Sequence, residues 1–267
     1  MTSIAWHDHG SGPVVVLLHA FPCDHTMWDA QIPALVGAGW RVLVPDLPGF
    51  GESARLDQAP SLAAVVDTLA DSLLERSVDR CALVGLSLGG YLIMEWLRRH
   101  PEMVAAIALC DTKASADSDQ ARAARLDMAE TIERDPATCA PMLRERLVPV
   151  IVGGTTTDRR PEVVATVRNW MDSADPATVA WYQRAMAARP DSLETLRESE
   201  IPVLVVWGEE DAMAPQAEQR SMLQALHDGR MTIIPEAGHL AAIEEPPQVS
   251  AALADFLLSV RRSNQDG

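Results

Sequence analysis

Aromatic side chains make up only 4% of the 267 residues, and lysine occurs once, at Lys113. All the other basic residues are arginine, which reads as a bias of composition with no function attached to it. No apolar run is long enough to span a bilayer. Met1-Thr2-Ser3-Ile4-Ala5-Trp6 has neither a basic start nor an apolar core, so a secretory leader is not expected and a cytoplasmic location is. The four cysteines, Cys23, Cys81, Cys110 and Cys139, show no metal-ligand spacing and read as free thiols. Positive charge is in deficit, with 22 basic against 38 acidic residues and a net charge of −16, which disfavours nucleic acid and anionic membranes as partners. Internal repeats and low-complexity linkers are absent. The length suits one large α/β domain with a substantial core.

Against that background, Gly85-Leu86-Ser87-Leu88-Gly89-Gly90 stands out. It follows the apolar run Cys81-Ala82-Leu83-Val84, which has the pattern of a strand buried on both faces. Tyr91 to Leu97 then carry apolar residues at helical spacing, and His100-Pro101 stops the helix. Serine is a weak nucleophile unless the backbone exposes and activates its hydroxyl, and a strand-turn-helix junction does so. Glycines two before and two after the serine relieve the crowding of such a turn. The helix start also aims free N–H groups at a developing anion, and the N–H of Leu88, next after the serine, is one such donor.

A serine nucleophile needs a base. His239, in Glu236-Ala237-Gly238-His239-Leu240, follows Met231-Thr232-Ile233-Ile234, the last predicted strand. A loop at a strand's C-terminal end can reach a neighbouring strand's end, so His239 is the candidate. His7, His9, His25, His100 and His227 read as solvated or core imidazoles. His7-Asp8-His9 reads as a polar turn, because adjacent residues of an extended segment point apart and no other His/Cys cluster joins them.

Further buried strands are predicted at Val14–Leu18, before His19-Ala20-Phe21-Pro22, and at Arg41–Val44, before Asp46-Leu47-Pro48-Gly49-Phe50-Gly51-Glu52-Ser53. Pro202–Trp207 is another, followed by Gly208-Glu209-Glu210-Asp211. In these segments, the serine turn and Gly238-His239, all in order over nearly the whole chain, the sequence resembles the α/β-hydrolase superfamily. Within it, His19 to Pro22 and Gly85 to Gly90 resemble the 3-oxoadipate enol-lactonase and small arylesterase group.

The resemblance implies an α/β-hydrolase fold: a mostly parallel central sheet flanked by helices, with a helical cap inserted after the sixth strand. Residues 1–112 and 201–267 would form the core and 113–200 the cap, with helix starts at Asp135-Pro136 and Asp175-Pro176. It implies Asp211 as the triad acid, with Asp111, at the end of Ala105–Cys110, as the competing position. Glu209 and Glu210 read as solvated turn residues. It implies His19 as a brace for the loop carrying the second oxyanion donor, the N–H of Phe21. Ala20 stands where the family more often has glycine, which constrains that loop.

The expected activity is hydrolysis of a carboxylic ester or lactone through an acyl-enzyme on Ser87, His239 and Asp211, without cofactor or metal. The expected partner is a small ester or lactone. A serine at this position argues against haloalkane dehalogenases and epoxide hydrolases, whose nucleophile is a carboxylate. Carbon–carbon bond hydrolysis, perhydrolysis on the same triad and a receptor without turnover are the alternatives. Leu86 stands where carbon–carbon hydrolases more often carry Asn. Trp28, Trp170, Met171, Trp181, Tyr182, Met186, Met213 and Leu240 are the pocket candidates, although such stripes more often only pack a cap onto its core. Val249, Leu253, Phe256, Leu257 and Val260 predict an amphipathic closing helix, and Arg261 to Gly267 a frayed polar tail.

Overall fold

The computed structural model describes residues 3–263. Of the polar tail, residues 264–267 lie outside the described residues, whereas Arg261 and Arg262 belong to the last helix. Among the described residues seven strands form one sheet: β1 (Trp6–His9), β2 (Val14–Leu18), β3 (Arg41–Pro45), β4 (Cys81–Leu86), β5 (Val104–Cys110), β6 (Val203–Gly208) and β7 (Gly229–Ile234). Their spatial order is β1-β3-β2-β4-β5-β6-β7. Only β1 runs antiparallel, against β3; the other pairings are parallel. The chain is doubly wound around β2 and β4, so both faces of the inner strands are covered. This is why β4 and β6 are buried along their whole length and read as unbroken apolar runs.

Helices α1 (Ile32–Gly37), α2 (Leu62–Glu75) and α3 (Leu88–Arg99) connect the first strands. α3 leans on β2, β4 and β5 and pairs with α2. Between β5 and β6 lie α4 (Asp119–Arg134), α5 (Cys139–Ile151), α6 (Gly154–Arg159), α7 (Pro161–Ser173), α8 (Pro176–Ala187) and α9 (Leu193–Arg197). α4 packs on α8 and α7 on α5 and α6, whereas α9 packs on α3 and on α10 (Gln216–Ala225). Asp175 caps α8 by accepting from Thr178 N–H at 2.8 Å, with Pro176 in the first turn. The short α11 (Ala241–Glu244) and the closing α12 (Pro246–Ser263) complete the chain, α12 packing on α1, β6 and β7.

The helical insertion, expected after the sixth strand, follows the fifth. A single strand, Trp6–His9, precedes Val14 among the described residues, so the count is one lower. All four cysteines are free and buried, and burial pushes the Cys81 thiol up to about 12. Among the described residues no helix is long and apolar enough to cross a membrane.

Candidate active site

Ser87 sits at the end of β4, directly before α3, with φ 53° and ψ −106°. Its backbone is pinned on both sides. Ser87 N–H donates to Cys110 O at 2.9 Å, and Ser87 O accepts from Thr112 Oγ1 at 2.9 Å. The flanking glycines are required by contact. A Cβ on Gly85 would lie 2.4 Å from the backbone of Gly89, and one on Gly89 would lie 2.2 Å from Leu18 O. The side chain stands out of this turn, and its Oγ is 2.8 Å from His239 Nε2.

His239 is carried on the segment between β7 and α11. On its far side, Nδ1 is 2.9 and 3.0 Å from the two carboxylate oxygens of Asp211. Asp211 follows β6 and is itself fixed, because Oδ1 accepts from the N–H groups of Met213 (2.8 Å) and Ala214 (3.0 Å). Burial works to raise the Asp211 pKa, but the His239 ring and the two backbone amides outweigh it and hold the carboxyl below its ordinary value. Ser87, His239 and Asp211 therefore form one hydrogen-bonded line across the ends of three strands.

Asp111 lies elsewhere. Its oxygens accept from Gly208 N–H (2.7 Å) and Ala241 N–H (3.2 Å), and no hydrogen bond joins it to the His239 ring. Burial, with the nearby Asp211 charge, pushes its pKa well above the carboxylate range. His19 is fully buried, and burial lowers its pKa. Its Nε2 accepts from Leu47 N–H at 2.9 Å, so the proton is on Nδ1, which donates to Ala20 O at 2.9 Å. The neutral ring ties the loop after β2 to the loop after β3. Leu88 N–H belongs to the first turn of α3 and has no intrahelical acceptor.

A cavity of about 70 Å³ opens on Ser87 and His239. Of the residues read from the sequence, Phe21, Met186 and Met213 line it. Tyr91, Lys113, Arg125, Leu147, Ile151 and Gln183 line it as well and were not foreseen. A larger hollow of about 940 Å³, running past Ser3, Arg55 and Glu75, is an open groove that neither Ser87 nor His239 borders.

Six other pocket candidates are placed in packing positions. Trp28 and Leu240 are fully buried in the core, as is Met171, with Trp170 beside it on α7. Tyr182 packs on Phe50 with ring centroids 4.9 Å apart, and Trp181 Nε1 donates to Gln58 O at 2.8 Å. Trp181 and Tyr182 thus attach the insertion to the sheet domain, and the insertion's share of the lining comes from Arg125 on α4, Leu147 and Ile151 on α5 and Gln183 and Met186 on α8.

Two sequence readings are corrected. Glu210 is not a solvated turn residue: its carboxylate accepts from Thr155 N–H (2.8 Å) and Thr155 Oγ1 (2.5 Å), clamping the start of α6. His7 and His25 are not solitary, although they stand far apart in sequence. Their rings stack at 3.4 Å and 16°, both facing Asp46, with His25 Nδ1 at 2.8 Å and His7 Nε2 at 3.6 Å from it. The three offer ligand atoms within 4.8 Å of one another. Asp46 also accepts from the N–H groups of His25 (2.9 Å) and Glu52 (2.8 Å), so the cluster braces the two loops that His19 joins. His9 is exposed, and Asp8 beside it pairs with Arg41.

The family model described as alpha/beta hydrolase fold matches residues 13–246. The chain belongs to the alpha/beta hydrolase family. Among solved structures, a thermophilic esterase from Thermogutta terrifontis with malate bound is 35% identical, with a TM-score of 0.92 over 97% of this chain and 94% of that one. The enol-lactonase from Burkholderia xenovorans LB400 is 25% identical, with a TM-score of 0.86 over 96% of each chain. BpoC of Mycobacterium tuberculosis H37Rv, whose name assigns it to the non-heme bromoperoxidases, is 28% identical over 98% of this chain and 100% of its own length. The hydrolase fold thus comes with relatives named as esterase, lactonase and bromoperoxidase.

Proposed function

We propose that the protein hydrolyses a small carboxylic ester or lactone through an acyl-enzyme on Ser87. The observation that carries this is the unbroken line from Ser87 Oγ through the His239 ring to Asp211. With Nδ1–H donating to Asp211, His239 Nε2 is free to take the hydroxyl proton as Ser87 attacks the carboxyl carbon. Asp211 stabilises the imidazolium that results. The oxyanion would lie against the backbone N–H groups of Leu88 and Phe21, each such donor being worth about 3–4 kcal/mol in other enzymes. His239 returns its proton to the leaving alcohol, then activates water, which releases the acid.

Residues 113–200 serve in this reading as a cap that walls the site and excludes water. No step calls for a metal or an organic cofactor. The buried free thiols fit a reducing cytoplasm. Kinship with BpoC favours a second reading, in which hydrogen peroxide takes the acyl group instead of water and yields a peracid.

The test is turnover of p-nitrophenyl acetate and butyrate by wild-type protein and Ser87→Ala. Loss of several orders of magnitude with an unchanged melting temperature is expected. Equal turnover in the purified variant excludes the mechanism. A single equivalent of nitrophenol followed by nothing indicates a receptor.

A further inference from the structure

The wall of the Ser87 cavity carries two cations, Lys113 and Arg125. Lys113 is the only lysine of the chain and lies just beyond β5, next to Thr112, which holds the Ser87 carbonyl. Arg125 projects from α4. Both are mostly shielded from solvent, with side-chain exposures of 19% and 22%.

One carboxylate, Asp117, faces them, and it is already shared. It accepts a hydrogen bond from Arg125 Nε at 2.7 Å and pairs ionically with Arg189 Nη1 at 2.9 Å, while Lys113 Nζ, at 3.6 Å, pairs with it only at a distance beyond hydrogen-bond reach. Arg189 is spent on structure: it also donates to Ser115 O at 2.8 Å and lies over the Tyr91 ring at 4.0 Å. Arg125 gives Nη1 to Gln183 Oε1 at 3.1 Å. Three cations thus share one carboxylate, and the two that border the cavity have donors left over. Shielded cations without full compensation are costly, and this pair sits beside the serine of a chain whose net charge is −16.

We propose that Lys113 and Arg125 form a carboxylate-binding subsite, and that the substrate is a short ester or lactone carrying a free carboxylate. The proposal rests on the reading of Ser87 as nucleophile. The carboxylate supplies the missing negative charge, with Arg125 Nη2 and Lys113 Nζ as donors. Both cations line the same cavity as Ser87 and His239, so a carboxylate held by them stands close to the reacting carbonyl. The cations also draw anionic substrate inward against the repulsion of the acidic surface.

The experiment compares kcat/KM for monomethyl succinate and for methyl levulinate, in which a neutral ketone replaces the carboxylate at nearly the same shape. A second pair, acetoxyacetate and its methyl ester, places the carboxylate on the alcohol side. At least one pair is expected to show a preference of about tenfold or more for the anion. Lys113→Met and Arg125→Met should each bring that ratio close to one, and Lys113→Arg should keep it. Because the ratio is internal to each variant, partial loss of folded protein does not alter it. No anionic preference in either pair, or a preference indifferent to Lys113→Met, overturns the subsite.

Calorimetric binding of succinate to Ser87→Ala separates the two claims. Binding that Lys113→Met abolishes, in a protein that turns over no ester, upholds the subsite and removes the hydrolase reading. Esters hydrolysed without preference, and no succinate bound, do the reverse.

Discussion

Replacing Gly89 by alanine tests how the sheet positions the reacting groups. The new Cβ would stand 2.2 Å from Leu18 O and 2.9 Å from Leu18 C. Carbon–oxygen contacts settle at about 3.3 Å, so the end of β2 must retreat by about 1 Å. It cannot do so freely, because Leu18 is in register with Gly85 on β4. Overpacking against backbone of this kind costs about 3 kcal/mol, which in a domain of this size lowers the melting temperature by about 6–12 °C. The displacement passes directly to His19, Ala20 and Phe21, the next residues of the chain. A donor moved by about 1 Å can cost about 100-fold in rate. Differential scanning fluorimetry and p-nitrophenyl acetate turnover would read both effects. Gly37→Ala is the control, since a Cβ there meets nothing within 4 Å. If Gly89→Ala melts and turns over like wild type while the control does the same, the close approach of β2 to α3 is not what fixes the site.

Asp211→Asn should keep its oxygen on the amides of Met213 and Ala214 and present an NH2 group to His239 Nδ1. That forces the proton onto Nε2 and should cut kcat by about 10³–10⁴, with little change in melting temperature. Asp111→Asn should instead lose stability by about 1–3 kcal/mol, because its amide faces the Ala241 N–H, and a variant pair with these effects exchanged would reassign the acid. Acid stability is a separate matter. Burial works to raise the Asp117 pKa, but Arg125 and Arg189 outweigh it and hold it below its ordinary value. Its stabilisation is therefore present above the unfolded pKa of about 3.9 and is lost as pH falls through the lower folded value. Melting temperatures between pH 5 and 3 should fall less steeply for Asp117→Asn than for wild type, from a lower starting point at pH 7; parallel curves would refute the ion cluster.

What the sequence made legible were features with local causes. A buried parallel strand must be apolar on both faces, so β2, β4, β5 and β6 announce themselves. Gly85 answers a backbone contact with Gly89 only four residues on, whereas Gly89 answers the distant Leu18 carbonyl and was legible only through its fixed spacing from Ser87. His239 was found because it follows the last strand. The edge strand β1 was missed: Trp-His-Asp-His has no apolar face, and only pairing with β3 makes it a strand. The stack of His7 on His25 was hidden for the same reason, since Asp46 at the end of β3 gathers both. The cavity lining misled in an instructive way. Aromatic stripes on α7 and α8 are the strongest local signal, yet bulk apolar surface is worth most where it packs, so it packs. Part of the lining fell instead to Lys113, Arg125 and Gln183, polar residues of a kind that in sequence looks like solvated surface.

A chain of this acidity can still present a cationic wall beside Ser87, because the carboxylates near the site are occupied by the main chain. Asp211 accepts from two backbone amides, Asp111 from two, and Asp46 from two. Glu210 accepts from Thr155 N–H. Glu244, also buried, accepts from Gly153 N–H at 2.8 Å and Leu240 N–H at 3.0 Å, which ties the insertion to the His239 loop. Each of these groups fixes a loop, and the positive ends of the amide dipoles offset part of the negative potential of those that are charged; Asp111, its pKa pushed well above the carboxylate range by burial, adds little charge of its own. The acids that build the site are therefore partly offset where they sit, while the Asp211 charge acts on the His239 ring and on Asp111. The sign of the cavity is left to the two side chains whose charge is not fully met, Lys113 and Arg125. Position, supplied by carboxylates on amides, and the proposed recognition by cations are thereby held by different residues, so an ester preference, if measured as proposed, should change at 113 or 125 without moving the serine–histidine line.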